Sequence, residues 1–356
     1  MKTVHVIGSK TNGGAERFYL RLIHAIHERQ VDTIAIVRRG SDFIDEIDRC
    51  IHVLQLPMRT VWDPLSKREI STAINKVKPD IVQTYMGRAT RLTHIPKNRG
   101  IVHIARLGNY YKLNGYHHAH AWIGNTRGIC DYLIRNGMPS KRVFHIYNFI
   151  DIPPVADDRQ LARIRSTLGI PETALVLVTT GRFSKIKGHA DLIEAFARLP
   201  VEFAGRPVWL LMIGNGILFD SLQDQAKGLG IGDRICWTGW QSNPALYYQL
   251  ADLAVFPFLE PEPFGNVILE AWAYHVPVVT TLFKGAREYI SHRQDAWCVP
   301  CNDAGALADG IITLLHDQDL RDVLSAGGYR KIQRNFSKQS IVDQYLALYN
   351  RLTGGC

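Results

Sequence analysis

The chain has 356 residues, too many for one ordinary core and enough for two domains of middling size. Its 46% hydrophobic and 21% charged residues exclude a disordered chain, and no run approaches the roughly 18 apolar residues of a membrane span. The formal charge of +9 favours anionic partners without choosing among nucleic acid, an acidic membrane surface and phosphorylated substrates.

The chain opens as strand, Gly-loop and helix: TVHVIG, SKTNGGAE, then a helix to about Arg29. Met1 leads straight into that strand rather than into a signal peptide, so the expected compartment is the cytoplasm. Ala15, Phe18, Tyr19, Leu22, Ile23 and Ile26 keep helical spacing. Gly13 and Gly14 let a ligand approach the backbone, although most α/β units carry a glycine there and the fingerprint G-x-G-x-x-G is absent. Strand-like runs follow at DTIAIV, IHVLQLP, KPDIVQTY, GIVHIAR, AHAWIGNT and KRVFHIYNFI, with helical stretches around Pro64 to Lys78 and Arg127 to Asn136. Apolar strands alternating with helices predict a parallel sheet covered on both faces.

The segment NFIDIPPVADD breaks this pattern with prolines and aspartates and reads as a linker. The alternation restarts at ALVLVTTGRF and continues through VWLLMIGNG, DRICWTGW, DLAVFPF, VPVVTTLF and AWCVPCN. Two α/β domains are therefore expected, over residues 1–152 and 153–335. A last helix within 336–356, SKQSIVDQYLALYNRL, is free to pack on either. Ligands of such sheets bind at the carboxyl ends of the strands, where GRFSKIKG, GNG, TGW, FLEPEPFG and FKGARE fall. Six cysteines, most in apolar strands or helices, read as reduced core thiols.

The richest stretch is EPEPFGNVILEAWAYHVPVV, Glu260 to Val279. A helix from about Asn266 to His275 is apolar almost all round, hence buried, and Glu270 in its middle needs a partner. Glu262 lies in the Pro-rich turn before it, and Phe264-Gly265 leads into the helix start, whose N–H groups and dipole suit an anion. Carboxylates beside such a start suit hydroxyls, so a ligand with phosphates and several hydroxyls, such as a sugar nucleotide, satisfies the set. Arg182 and Lys187 bracket the strand end in GRFSKIKGH and make a natural diphosphate clamp, although basic residues in such loops are often only solvated.

This combination resembles the retaining glycosyltransferases of family 4, the bacterial envelope-glycan type with the GT-B fold. The resemblance spans nearly the whole chain, is strongest from Gly181 to Asp303, and rests on GRFSKIKG, IGNG, TGW, EPFGNVILEA with its Glu-x7-Glu spacing, VPCND and, moderately, GGAER. It implies two doubly wound parallel-sheet domains facing a central cleft, with acceptor-side residues in the first and the nucleotide sugar bound by the second. By that resemblance Arg182 and Lys187 bind the donor diphosphate and neutralise the leaving nucleotide. Glu270 holds the ribose hydroxyls and Glu262 a hydroxyl of the donor sugar. Phe264, Gly265, Asn266 and Val267 face the sugar and phosphates through backbone groups, and Gly13 and Gly14 close over them. The donor is a UDP- or GDP-linked sugar, UDP ahead of GDP, and no cofactor or metal is needed. The family's usual His near the donor sugar has no clear counterpart in GIVHIARLGNYYKL, where His103, Arg106 or neither takes that place.

Other constellations carry less. Cys298 and Cys301 form C-x-x-C without a second pair for zinc. His117, His118 and His120 cluster without a carboxylate or Cys. Asp317-Gln318-Asp319 matches D-x-D but follows a helix instead of ending a strand. On the acceptor side, Arg88, Arg91, His94, Lys97, Arg99, Arg106 and Lys112 interleave with Tyr85, Tyr110, Tyr111 and Tyr116. This suits a phosphorylated glycan or lipid-linked acceptor at an anionic membrane surface, single-stranded nucleic acid, or only a solvated loop. The reading is a peripheral enzyme on the inner face of the cell membrane that transfers sugar in lipopolysaccharide or other envelope polysaccharide synthesis. A soluble synthase of a small glycoside is the alternative. A nucleic-acid-binding protein leaves Glu262 and Glu270 unexplained, because carboxylates repel phosphates.

Overall fold

The computed structural model describes residues 1–11, 13–96, 99–152, 154–241 and 243–354. Two compact units result, Met1–Asp151 with Phe336–Cys356, and Ile152–Asn335. Lys97, Pro153 and Cys356 lie outside the described residues.

In the first unit, β1 (Lys2–Ile7), β2 (Asp32–Arg38), β3 (His52–Leu56), β4 (Ile81–Tyr85), β5 (Val102–Leu107), β6 (Ala121–Gly124) and β7 (Val143–His145) form one parallel sheet. Their order is β3-β2-β1-β4-β5-β6-β7. The connecting helices are α1 (Gly14–Glu28), α2 (Pro64–Val77), α3 (Met86–Leu92) and α4 (Arg127–Arg135). Side chains alternate across the pleat, so Val4 and Val6 face α2 while Ile7 faces α1. Phe18, Tyr19, Leu22, Ile23 and Ile26 recur at helical spacing and bury one stripe of α1 on Ile7, Ala35 and Val37. Pro64 starts α2 where its missing N–H costs nothing, and the Asp63 carboxylate accepts from Ser66 N at 3.2 Å.

The second unit holds α5 (Asp158–Thr167), β8 (Leu175–Thr180), α6 (His189–Ala197), β9 (Glu202–Phe203), β10 (Arg206–Ile213), α7 (Phe219–Gly228), β11 (Ile235–Gly239) and α8 (Ala245–Gln249). It continues with β12 (Leu253–Phe256), α9 (Asn266–Ala273), β13 (Val278–Thr281), β14 (Trp297–Val299), α10 (Ala304–His316) and α11 (Gln318–Asn335). The sheet runs β11-β10-β8-β12-β13-β14, with β9 antiparallel on β10. Strand order reverses between β8 and β12, paired at Leu177↔Leu253 and Val178↔Ala254. A crevice opens at the carboxyl ends of two such strands because their following helices leave to opposite sides.

The last helix, α12 (Lys338–Thr353), belongs to the first unit. Ile341, Val342, Tyr345, Leu348 and Tyr349 join the core that α1 covers, and the Tyr349 hydroxyl donates to Gln83 Oε1 at 2.8 Å.

Candidate functional site

Four loops meet at the carboxyl edge of the second sheet, and glycines let them touch backbone to backbone. A Cβ on Gly214 would stand 1.9 Å from Gly181 O, and one on Gly216 2.3 Å from Phe183 O. The loops after β8 and β10 are thereby held together, by Gly181 N to Ile213 O and Phe183 N to Asn215 O, both at 2.9 Å. Gly188 has φ +67, and a Cβ there would lie 1.8 Å from Pro257 O, so the Lys187 turn sits on the segment leaving β12. Gly285 approaches Pro263 O in the same way, bringing in the loop after β13.

Within this frame Lys187 Nζ and Glu262 Oε2 are 3.1 Å apart, and the ammonium lies 4.5 Å from the centroid of the Phe258 ring. The Glu262 carboxylate is buried, and its other oxygen accepts from Gly265 N at 3.2 Å. One carboxylate thus meets both a cation and the start of α9, each favourable to negative charge. Gly265 caps α9 at φ +78, which a residue with a Cβ reaches only with strain.

Helix α9 is buried at Ile268, Leu269, Ala271, Trp272 and Ala273. Asn266, Val267 and Glu270 are half-buried, and Asn266 and Val267, four and three residues before Glu270, share with it the helix's accessible stripe. The other side is held by α11, where Gly328 leaves room for Trp272 and the Lys331 ammonium pairs with the buried Asp295 carboxylate. Arg182 is exposed two residues past the end of β8, and among the described residues its guanidinium has no ion-pair partner. The structure therefore brings Glu262, Phe264, Gly265, Asn266, Val267 and Glu270 onto contiguous backbone, with Lys187 and Arg182 together on the adjoining loop after β8.

Tyr248 escaped the sequence reading. It is fully buried in the short helix α8, and its hydroxyl lies 2.6 Å from Thr180 Oγ1 at the end of β8 and 3.4 Å from both Glu270 Oε2 and Val267 O. Burial raises its phenol far above the usual range, and the Glu270 carboxylate adds to that. A five-residue helix gives no periodicity to betray such a role.

In the first unit Gly13 caps α1 with extended backbone and accepts from Arg17 N at 2.9 Å. His103 is buried, with Nε2 3.0 Å from Thr84 Oγ1, and burial holds it well below its usual pKa, followed by the nearby His118, His120 and His94. Arg106 is buried as well, its guanidinium 3.9 Å over the Phe18 ring and bonded to Asn148 Oδ1.

The basic and aromatic acceptor surface is largely taken apart. Tyr85 and Tyr116 are buried, and the segment of Arg88 and Arg91 is helix α3 rather than loop. Arg88 donates to Gly8 O at 3.0 Å, and Arg91 lies over Trp62. His94 stacks on His118 at 4.0 Å and is pushed down to about 4, chiefly by desolvation, then by His118 and Lys67, so it adds no charge at neutral pH.

The remaining constellations are structural in their contacts. His118 and His120 bond the carbonyls of Thr90, Thr93 and Ile95, and among the described residues no three His, Cys, Asp or Glu side chains could hold a metal. Cys298 is raised to about 12, first by burial, and Cys301 is raised too, the reverse of a reactive thiol. Asp317 accepts from Leu320 N at 2.8 Å at the start of α11.

Comparison with known proteins agrees along the whole chain. The family model described as Glycosyltransferase Family 4 matches residues 12–152, and that described as Glycosyl transferases group 1 matches residues 162–331. The lipopolysaccharide core biosynthesis glycosyltransferases LpsE and LpsD of Rhizobium meliloti (strain 1021) are each 32% identical to it. The alignments cover 98% and 99% of this chain and 98% of each relative. The solved structure of Anabaena Alr3699/HepE in complex with UDP and glucose matches with a TM-score of 0.86 at 20% identity, over 98% of this chain and 99% of that one. By sequence over its full length, and by two doubly wound sheets of GT-B type, the chain belongs to the family 4, group 1 glycosyltransferases.

Proposed function

We propose that the chain moves a sugar, with retention of anomeric configuration, from a nucleotide-sugar donor to a glycan or lipid-linked acceptor in lipopolysaccharide or other envelope polysaccharide synthesis. The observation that carries this is the Lys187–Glu262 pair at the start of α9, one turn from the Glu270 stripe, at the strand-order reversal. The pair leaves capacity for a donor. An ammonium has three N–H groups and one meets Glu262, while each Glu262 oxygen keeps a lone pair for a sugar hydroxyl. Lys187 and the exposed Arg182 then neutralise the diphosphate as it leaves. Glu270 holds the ribose, and Asn266 and Val267 face the phosphates and sugar. The acceptor hydroxyl attacks from the leaving-group face and its proton passes to the departing phosphate, so no enzyme nucleophile is needed. Gly13 and Gly14 enter the proposal on sequence resemblance alone.

The lipopolysaccharide names of the two relatives support the pathway, and the UDP and glucose of the Anabaena structure support a UDP-sugar over a GDP-sugar. Metal independence and attachment to the inner membrane face belong to the same proposal. The charge of +9 supports the latter, and no described helix is long and apolar enough to cross a membrane. A thermal-shift panel of UDP, GDP and their sugars, each with EDTA, tests the donor. UDP compounds are expected to raise the melting temperature with the chelator present, and no shift with any of them contradicts the reading. Flotation with anionic liposomes at low salt tests the acceptor side, where absence of binding favours a soluble synthase. Product anomer by NMR tests retention.

A further inference from the structure

The contacts of Tyr248 cross the sheet edge from β8 to α9 through a single oxygen. Thr180 closes β8, and its hydroxyl is 2.6 Å from the phenol, which in turn lies 3.4 Å from Glu270 Oε2 and 3.4 Å from Val267 O. A phenol has one proton to give. If it went to Thr180, the carboxylate and the carbonyl would face a lone pair. If the threonine donates instead, the phenol keeps its proton for the α9 groups, and a bond to an ionised acceptor is the stronger one. The favoured sense therefore runs Thr180 O–H to Tyr248 O, and Tyr248 O–H toward Glu270. Because the phenol is neutral throughout the working pH range, this sense does not reverse. The ring cannot swing away, since it is fully buried and lies against Tyr274 with centroids 5.8 Å apart and planes 12° from parallel.

We infer that Tyr248, relayed from Thr180, is a positioning residue that fixes the Glu270 carboxylate and the first turn of α9, and so sets how strictly the site demands a ribose diol in its nucleotide. This rests on the reading of Glu270 as the ribose ligand. Asn266, Val267 and Glu270 form one accessible stripe, and a small roll of α9 would move all three together. The phenol touches two points of that helix three residues apart in sequence, Val267 O and Glu270 Oε2, which opposes the roll. Carboxylate recognition of a vicinal diol needs both oxygens in the plane of the two hydroxyls, so orientation matters more than proximity.

The test uses the full chain and calorimetric titration of UDP and of 2′,3′-dideoxy-UDP into wild type, Glu270→Gln, Tyr248→Phe and Thr180→Val. Wild type is expected to prefer UDP, and Glu270→Gln to lose that preference. Tyr248→Phe is expected to lose about tenfold of it, the low end for a bond to a charged group, as suits a 3.4 Å contact, and Thr180→Val a smaller part, since the phenol there keeps its proton but loses the bond that holds it. Affinity for the dideoxy compound should fall less than affinity for UDP in these two variants, a selectivity that a general loosening of the fold would not produce. Tyr248→Phe and Thr180→Val with wild-type preference, beside a Glu270→Gln variant without it, overturn the inference alone. A Glu270→Gln variant that keeps the full preference overturns both the ribose assignment and the inference built on it. Thr180→Val keeps the question answerable should Tyr248→Phe fold poorly.

Discussion

At the scale of single residues, the buried imidazoles make the clearest prediction. His5, His103 and His189 are all buried. Burial pushes His5 and His189 down to about 3, with Lys187 adding to the effect on His189, and holds His103 well below its usual value. In the unfolded chain each takes up a proton near pH 6.5. Between that value and the depressed folded pKa the unfolded state binds more protons, so stability is complete above about pH 6.5 and falls as the pH drops. From pH 7 to pH 5 His5 and His189 each withdraw about 2 kcal/mol, and His103 acts in the same direction. His5 and His103 act on the unit beginning at Met1, His189 on the unit beginning at Ile152. Urea midpoints measured at pH 7 and pH 5 should therefore fall for both units, and equal midpoints would contradict the neutral, buried state of these rings.

Residues of the candidate site were unevenly legible in the sequence. Glu262, Glu270, Arg182 and Lys187 stood out because charge in a Pro-rich turn, in an apolar helix or at a strand end is locally anomalous. Tyr248 was not visible, because a tyrosine near a strand is commonplace and only tertiary contacts separate this one from its neighbour Tyr247. The tyrosines and arginines of the supposed acceptor surface failed in the opposite sense. Tyr85, Tyr116 and Arg106 carry polar tips that suggest solvent, yet their bodies are buried, with the Tyr85 hydroxyl bonded to His5 and Gln83 and the Arg106 guanidinium to Asn148.

At the scale of elements, the site depends on loops that approach more closely than side chains allow. Gly188 shows this most sharply, with φ +67 and Pro257 O 1.8 Å from the place of a Cβ. Gly188→Ala combines left-handed strain with a clash against backbone, which cannot rotate away, at a cost of about 3 kcal/mol or more. It should lower the melting temperature and, by moving Lys187 off Glu262, weaken nucleotide binding. A variant that melts and binds like wild type would show that the loops after β8 and β12 are not locked together. Strands and most helices were readable, because apolar runs and the 3.6-residue period are local signals. Helix α3 was not: its apolar positions, Met86, Ala89 and Leu92, span too few residues beside two arginines to show a period, and it is helical through its packing on β1, β4 and α2.

At the scale of the molecule, two α/β units were expected from the restart of the strand–helix alternation, and two compact units are present. The destination of the last helix was left open by sequence, since Ile341, Tyr345 and Leu348 fit any apolar face. It is settled by a buried bond from Tyr349 to Gln83 and by packing on α1, which give the unit of Met1 a segment more than 180 residues away along the chain. The grouping of charge is likewise a tertiary property: the Lys187–Glu262 pair joins residues on different loops, and only the fold makes them one site.

That site is tested most directly by titrating the nucleoside diphosphate selected in the shift panel into wild type, Lys187→Ala and Glu270→Ala, with melting curves recorded alongside. Both variants are predicted to melt as cooperatively as wild type and to bind at least about tenfold more weakly, the loss of one charge-assisted contact each. Wild-type affinity in both would contradict the placement of the donor on this edge of the sheet.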